Sequence, residues 1–262
     1  MSQVAVITGS TRGIGQGLAR ELLARGCSVV VTGRSGAPAA AAALGTRALG
    51  VDCDVTDIDS VQAVWDAAVE RFGRVDIWVN NAGTTTVPLP LWEAPLEEIK
   101  ATLDTNIIGT LNGLKVAIAG MRAQDGGGRI FNVEGMGSKG EIQAAMLPYA
   151  STKAAVGYLD KALVKELKDT GVRLMSIRPG INVTRHLMHG SEHLSPERLA
   201  KTKKIFNILG DKPETTTPWI ADRILATDKP GAQIAWLTPM KITGRFMTAG
   251  FRKRDLFADI EA

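Results

Sequence analysis

The chain has 262 residues, 45% of them hydrophobic and 22% charged, with a net charge of +4 and two cysteines. That length buries a full-sized core and fits one α/β domain over residues 1–262, and no apolar run reaches the roughly 18 residues needed to cross a bilayer. Cys27 and Cys53 stand apart, outside any metal-ligand spacing, so a disulfide framework does not fit and a reducing compartment is the default. The mild basic balance suits an anionic ligand. Its two clusters, Lys201/Lys203/Lys204 and Arg252/Lys253/Arg254, belong to no nucleic-acid-binding module and read as solvated faces. Met1, Ser2 and Gln3 lead straight into an apolar strand with no secretory pattern, and the expected location is cytoplasmic.

Short β-branched runs alternate with helical patterns along the chain. Strands are predicted at 4–8, 28–32, 46–52, 75–80, 129–133, 172–177 and 233–237. Helices are predicted at 15–25, 39–43, 60–72, 96–121 and 149–170. Strands that alternate with helices pair in parallel, and continuous apolar strands mark a sheet covered on both faces. The prediction is a single-domain, doubly wound parallel sheet, a Rossmann fold with helices on both faces. Residues 185–217 show weak periodicity, carry all three histidines and follow the sixth strand, where ligands of open α/β sheets approach; they are predicted to form a substrate lid. Residues 238–262 form a C-terminal extension without a clear pattern.

Gly9, Ser10, Thr11, Arg12, Gly13, Ile14 and Gly15 lie between the first strand and the first helix. Glycines there permit a tight turn and bring phosphates against backbone N–H groups at a helix N-terminus. Set in an N-terminal βαβ unit, the motif points to a dinucleotide. The second strand ends in Thr32-Gly33-Arg34-Ser35 with no carboxylate to hold a ribose 2′-hydroxyl. Arg34, Ser35 and Arg12 instead offer a 2′-phosphate charge-assisted partners, so the expected cofactor is NADP(H).

Pro148 opens a helix on which Tyr149 and Lys153 are four residues apart, on one face. A nearby ammonium favours the phenolate, which makes Tyr149 a candidate general acid. Together with the glycine loop this pair resembles the short-chain dehydrogenase/reductase family, and the match runs through nearly the first 185 residues. The resemblance implies that Asp54 and Val55 contact adenine, that Asn81, Ala82 and Gly83 border the cofactor, and that Asn106 holds a water in the proton relay. It implies that Pro179, Gly180, Asn182 and Thr184 hold the nicotinamide carboxamide, and that Lys153 both tunes Tyr149 and binds the nicotinamide ribose. The implied reaction is reduction of a carbonyl, or its reverse, on a small-molecule apolar substrate. A homo-oligomer, dimer or tetramer, is implied too, although the family's usual Asp-Gly-Gly ending at the tetramer contact is absent.

The family's substrate-orienting serine follows the fifth strand, where this chain has Asn132-Val133-Glu134-Gly135. Ser138 lies three residues further on, past two glycines that can fold the backbone back; it is either the replacement hydroxyl or an ordinary loop serine. The run from Gly128 to Ser138, the stretch from Phe206 to Thr215, and Trp236 to Pro239 resemble the chlorophyll b reductase branch, which reduces a formyl group to a hydroxymethyl group. His186, His189 and His193 sit at helix-compatible offsets but lack supporting cysteines or carboxylates, so they read as polar lid residues and no metal is expected. A catalytically silent NADP(H)-sensing or scaffold protein is the alternative function. The joint presence of Tyr149, Lys153 and Asn106 favours chemistry.

Overall fold

The computed structural model describes residues 2–142, 144–184, 187–251 and 254–258. Seven strands form one sheet: β1 (Val4–Ile7), β2 (Ser28–Gly33), β3 (Ala48–Asp52), β4 (Ile77–Asn80), β5 (Gly128–Val133), β6 (Val172–Arg178) and β7 (Gln233–Ala235). All neighbouring strands pair in parallel, and the order is β3-β2-β1-β4-β5-β6-β7. The order reverses between β1 and β4, the switch point outside whose carboxyl ends an open α/β sheet binds its ligand.

Alternation along each strand divides the core. Ala5 and Ile7, Val29 and Val31, Ile77 and Val79, and Phe131 and Val133 point to one face. There they meet α1 (Gly13–Ala24), α2 (Ala37–Ala42) and α8 (Pro213–Ala226). Val6, Val30, Trp78 and Ile130 point to the other face, against α3 (Ile58–Phe72), α5 (Gly109–Ala123) and the end of α6 (Leu147–Glu166). Both faces are dry, which is why the strands read as unbroken apolar runs.

Three elements differ from the predicted pattern. The long helix expected over 96–121 is α4 (Leu96–Leu103) and α5 separated by a π-helical turn, Asp104–Ile108. Such turns insert one residue into the ladder and rotate a side chain out of register; this one carries Asn106, which is fully buried. The region expected as an irregular lid contains a 3₁₀ turn, Ser191–His193, and the helix α7 (Pro196–Leu209). Ser195 caps α7 by accepting the N–H of Arg198 at 3.3 Å. The helix α8, for which the sequence shows no clear period, starts on Pro213 and accommodates Pro218 in its second turn. The extension contains α9 (Pro239–Thr248).

Candidate active site

The glycine loop is built onto the exit of β4. Thr8 Oγ1 accepts the backbone N–H groups of Asn81 and Ala82, each at 2.9 Å. Asn81 Nδ2 donates to the carbonyls of Thr8 (2.8 Å) and Gly9 (3.0 Å). Gly9 has φ +62°, and a Cβ there would lie 2.8 Å from Ala82 Cα, so only glycine lets the loop lie this close. Ser10 is fully buried; its hydroxyl donates to Ile7 O (2.6 Å) and accepts Thr32 N–H (3.0 Å). Ser10 and Asn81 therefore shape the loop, while Thr11 stands over Gly33 and Ile14 packs into the core. Gly13 faces open space, with Thr184 Cγ2 alone within 4 Å of where its Cβ would be, at 3.8 Å. Arg12 precedes α1 in extended conformation with no side-chain cap, leaving first-turn N–H groups directed at that space.

Arg34 and Ser35 follow β2 and are exposed, as is Arg12. Neither arginine has an ion pair among the described residues. Asp54 turns its carboxylate to Thr56 N (2.9 Å) and Thr56 Oγ1 (2.8 Å). Val55 is buried against Gly109. The cleft fits a dinucleotide: it has a glycine-lined gap at a helix N-terminus, and two guanidiniums without an ion pair among the described residues, Arg12 just before that helix and Arg34 just after the second strand.

Tyr149 and Lys153 come from the first two turns of α6, across from the ends of β4 and β5. Lys153 is buried, and its Nζ donates to Val133 O at 3.0 Å. Burial pushes its pKa down to about 8, against the pull of the Glu134 and Asp160 charges. Tyr149 is half-buried and its phenol is pushed up to about 12 by desolvation. The ammonium stands over the ring, 5.9 Å from its centroid, and does not offset this shift. Tyr149 is thereby held protonated, the form a proton donor needs.

Gly135 faces the phenol. A Cβ at this position would collide with the Tyr149 hydroxyl and lie 3.2 Å from Lys153 Cγ. The space that a side chain at position 135 would take is thus occupied by the tyrosine itself. Replacing Gly135 by alanine is expected to displace the hydroxyl and lower kcat roughly 10²-fold with cofactor affinity unchanged. A crystal structure of that variant showing Tyr149 unmoved, with full turnover, would contradict this geometry.

Ser138 is buried, and its hydroxyl donates to Glu134 Oε2 at 3.0 Å. Asn106 Oδ1 accepts Thr84 N–H (2.8 Å), and its Nδ2 donates to Thr84 O (2.9 Å) and Thr152 Oγ1 (3.0 Å). A Cβ on Gly83 would lie 3.3 Å from Asn106 Oδ1 and 3.8 Å from Lys153 Nζ. Asn106, Gly83, Lys153, Tyr149 and Gly135 thus share one corner of the cleft.

The segment after β6 closes the opposite wall. Asn182 Nδ2 donates to Pro179 O (2.8 Å) and its Oδ1 accepts the Thr216 hydroxyl (2.6 Å), which fixes the turn at Gly180 (φ +75°). Thr184 reaches towards Gly13 across the cleft. The region beyond is tied down on two sides. Glu98 of α4 accepts Val87 N–H at 2.9 Å and meets His189 Nε2 at 3.5 Å. Asp211, almost fully buried, takes Arg245 (2.7 Å), Arg254 (2.9 Å) and Trp236 Nε1 (2.6 Å). Leu256 and Phe257 then pack with Val183 and Phe206. His193 lies in the 3₁₀ turn, whereas His186, Arg252 and Lys253 lie outside the described residues. No group of three or more His, Cys, Asp or Glu that could hold a metal occurs among the described residues.

Sequence reasoning did not single out Glu134, Asp160 or Asp211. Asp160 had one legible signal, its position seven residues after Lys153 on the same helix face.

A family model described as short chain dehydrogenase matches residues 3–194. The chain is 33% identical over 276 residues to the probable chlorophyll(ide) b reductase NYC1, chloroplastic, of Arabidopsis thaliana, covering 97% of this chain and 54% of that protein. It is also 33% identical over 251 residues to the chlorophyll(ide) b reductase NOL, chloroplastic, of the same plant, covering 90% of this chain and 70% of the relative. The chain thus spans about half the length of the NYC1 relatives it matches. Among solved structures, a 3-ketoacyl-(acyl-carrier-protein) reductase from Brucella melitensis complexed with NADH superposes with a TM-score of 0.78 at 26% identity, covering 89% of this chain and 96% of that one.

Proposed function

Because the chain belongs to the short chain dehydrogenase family and is an oxidoreductase of its chlorophyll b reductase branch, we propose that it reduces a formyl or keto group of a bulky apolar substrate with NADPH. The observation that carries this reading is the meeting of Tyr149, Lys153 and the side-chain-free Gly135 at the cleft bounded by Gly13 and Thr184.

The residues divide the work. Gly9 to Gly15 and the first turn of α1 hold the pyrophosphate, Arg12, Arg34 and Ser35 the 2′-phosphate, Asp54 and Val55 the adenine edge, and Ala82 and Gly83 the cofactor's flank. Pro179, Gly180, Asn182 and Thr184 hold the carboxamide. The bound nicotinamide supplies a hydride to the carbonyl carbon. Tyr149 gives its proton to the carbonyl oxygen as the C=O electrons move onto that oxygen, and the buried Lys153 ammonium stabilises the phenolate left behind. Without a serine at position 135, carbonyl alignment rests on Tyr149, and Ser138 acts by holding Glu134.

A large apolar substrate is supported by the rim. Leu91, Trp92, Met136, Ile142 and Leu147 are exposed on segments after β4 and β5, at the carboxyl end of the sheet where the cleft opens. The exposed Leu103, Ile108, Leu111 and Tyr158 on the outer helices support self-association into a homo-oligomer. No helix among the described residues is long and apolar enough to cross a membrane.

The cofactor assignment is tested by Arg34→Asp. A 2′-phosphate loses a charge-assisted partner and gains a repulsive one, so KM for NADPH should rise by roughly 10-fold or more while KM for NADH changes little. Equal Michaelis constants for the two cofactors in the parent chain, or an unchanged ratio in the variant, would overturn it. The size assignment is tested by comparing kcat/KM for formyl tetrapyrroles and steroid ketones with that for acetone, which should be the poorest substrate.

A further inference from the structure

The loop after β5 carries Gly135 against the Tyr149 hydroxyl and Met136 at the rim. Its own sequence, Gly135-Met136-Gly137-Ser138-Lys139-Gly140, gives it little stiffness. Gly137 and Gly140 have φ +104° and +84°, conformations that an unrestrained glycine leaves as readily as it enters. Within the loop, Ser138 N–H donates to Gly135 O at 3.2 Å and Gly140 N–H to Gly137 O at 2.9 Å. The loop lies directly on α6: a Cβ on Gly137 would collide with Ala150 O, and one on Gly157 with Ser138 O. A shift of the loop is therefore felt by the helix that presents Tyr149.

The loop is gripped from the neighbouring strand. Arg178 is the last residue of β6, which pairs with β5. Its Nη2 donates to Glu141 Oε1 at 2.5 Å, and its Nε stands 4.0 Å from Glu134 Oε2, so one guanidinium faces a carboxylate at each end of the loop. Glu141 Oε2 turns back to accept the N–H groups of Gly137 and Lys139, both at 3.1 Å. Glu134 Oε2 accepts Ser138 Oγ at 3.0 Å and Gln233 Nε2 at 2.7 Å. Gly137, Ser138 and Lys139 thus hang on carboxylates that face Arg178. Burial opposes ionisation of Glu141, yet the Arg178 hydrogen bond and the Lys139 N–H hold its carboxyl down at about 2, so this charge is in place across the neutral range. Arg178 is anchored in turn by its carbonyl, which accepts Trp236 N–H at 3.0 Å. The segment that follows it is fixed separately, by Asn182 through Pro179 O and Thr216.

We propose that Arg178 is a positioning residue for the reduction: by holding Glu134 and Glu141 at the two ends of the loop, it keeps Gly135 seated on the Tyr149 hydroxyl and fixes where the phenol points. It acts through the loop and not on the reacting atoms. The phenol depends on this seat because its hydroxyl makes no hydrogen bond to the described residues. Loss of the grip frees the loop and misaligns the proton donor, while the cofactor side of the cleft, held by Asn182, stays as it is.

The proposal rests on the reading of Tyr149 as the proton donor, so one arm of its test reads the tyrosine and the other reads the reaction. The chain has two tyrosines, and Tyr158 is exposed, so protein labelled with carbon-13 at tyrosine Cζ gives one NMR signal for the site and one for reference. Arg178→Ala is expected to shift or broaden the Tyr149 signal, leave the Tyr158 signal in place, and recover the parental signal when methylguanidinium is added. An unmoved Tyr149 signal overturns the proposal. In the reaction, Arg178→Ala should lower kcat by roughly tenfold or more with KM for NADPH unchanged, the split expected of a misaligned donor, and methylguanidinium should restore part of the loss. Arg173→Ala removes an ion pair to Asp228 (3.1 Å) at the opposite end of β6 and should change neither readout. Glu141→Ala, at a partly exposed side chain, should move the same signal and lower kcat alike, and it carries the test if Arg178→Ala does not fold. The double variant should be no worse than either single one, because the two residues act as a unit; additive losses overturn the clamp. A shifted Tyr149 signal with parental kcat overturns its role in reduction. If no carbonyl is reduced at all, the proposed function fails while the tyrosine signal still decides the clamp.

Discussion

Replacing Tyr149 by phenylalanine is expected to lower kcat for carbonyl reduction by roughly 10²–10⁴-fold while cofactor affinity and thermal stability stay at parental values. The ring is half-buried in the first turns of α6 and keeps its packing in the variant. The hydroxyl makes no hydrogen bond to the described residues and faces the side-chain-free Gly135, so its removal orphans no buried partner. What is lost is the proton donor alone. With the phenol pushed up to about 12, it is protonated throughout the accessible pH range and its own titration adds no limb to the reductive profile. Single-turnover oxidation of NADPH, with cofactor titration by fluorescence, separates the two effects. Turnover within a few-fold of the parent would place the donor elsewhere.

Removing the carboxylate of Asp211 should produce the largest change in stability. This side chain gathers Arg245, Arg254 and Trp236 at 2.6–2.9 Å, and its backbone exchanges hydrogen bonds with Ile181 and Val183, both at 2.9 Å. It therefore ties α9 and the last described residues to the segment proposed to hold the carboxamide. Asp211→Ala leaves two guanidiniums partly buried without their acceptor, at an expected cost of about 3–5 kcal/mol for a buried pair. Both arginines retain some solvent exposure, so the lower end is expected. Urea unfolding measures this directly, and limited proteolysis should cut the variant first after residue 237. A loss below about 1 kcal/mol would mean that the tail is held by Leu256 and Phe257 instead.

The motifs of the candidate site were legible as local patterns. Gly9 to Gly15, Asn81 to Gly83, and Tyr149 with Lys153 each fit within one turn or loop, where spacing determines geometry. The sheet was legible because both of its faces are dry. What stayed hidden depends on distant partners. Asp211 meets residues 25, 34 and 43 positions away, and Asn132 meets Asp160 across 28 positions. The π turn at Asn106 is invisible to a 3.6-residue period, since its reward is tertiary: three hydrogen bonds to Thr84 and Thr152. In α8, Thr216 and Thr217 are buried polar residues satisfied by Pro213 O and Asn182, which disguises the inner face of the helix. Gly135 stood out in the sequence as a position without a side chain, but its contact with the tyrosine hydroxyl needed the relative placement of β5 and α6.

On the proposed function, this cleft transfers hydride from NADPH to a carbonyl carbon with Tyr149 as the proton donor. The most direct measurement uses NADPH deuterated separately on each face of the nicotinamide, with formyl tetrapyrroles, steroid ketones and simple ketones as acceptors, followed by mass analysis of the alcohol. Deuterium is expected in the alcohol from one face only, in a bulky product, and none with Tyr149→Phe. Tight NADPH binding with no label transferred to any acceptor would contradict it and leave a cofactor-sensing protein.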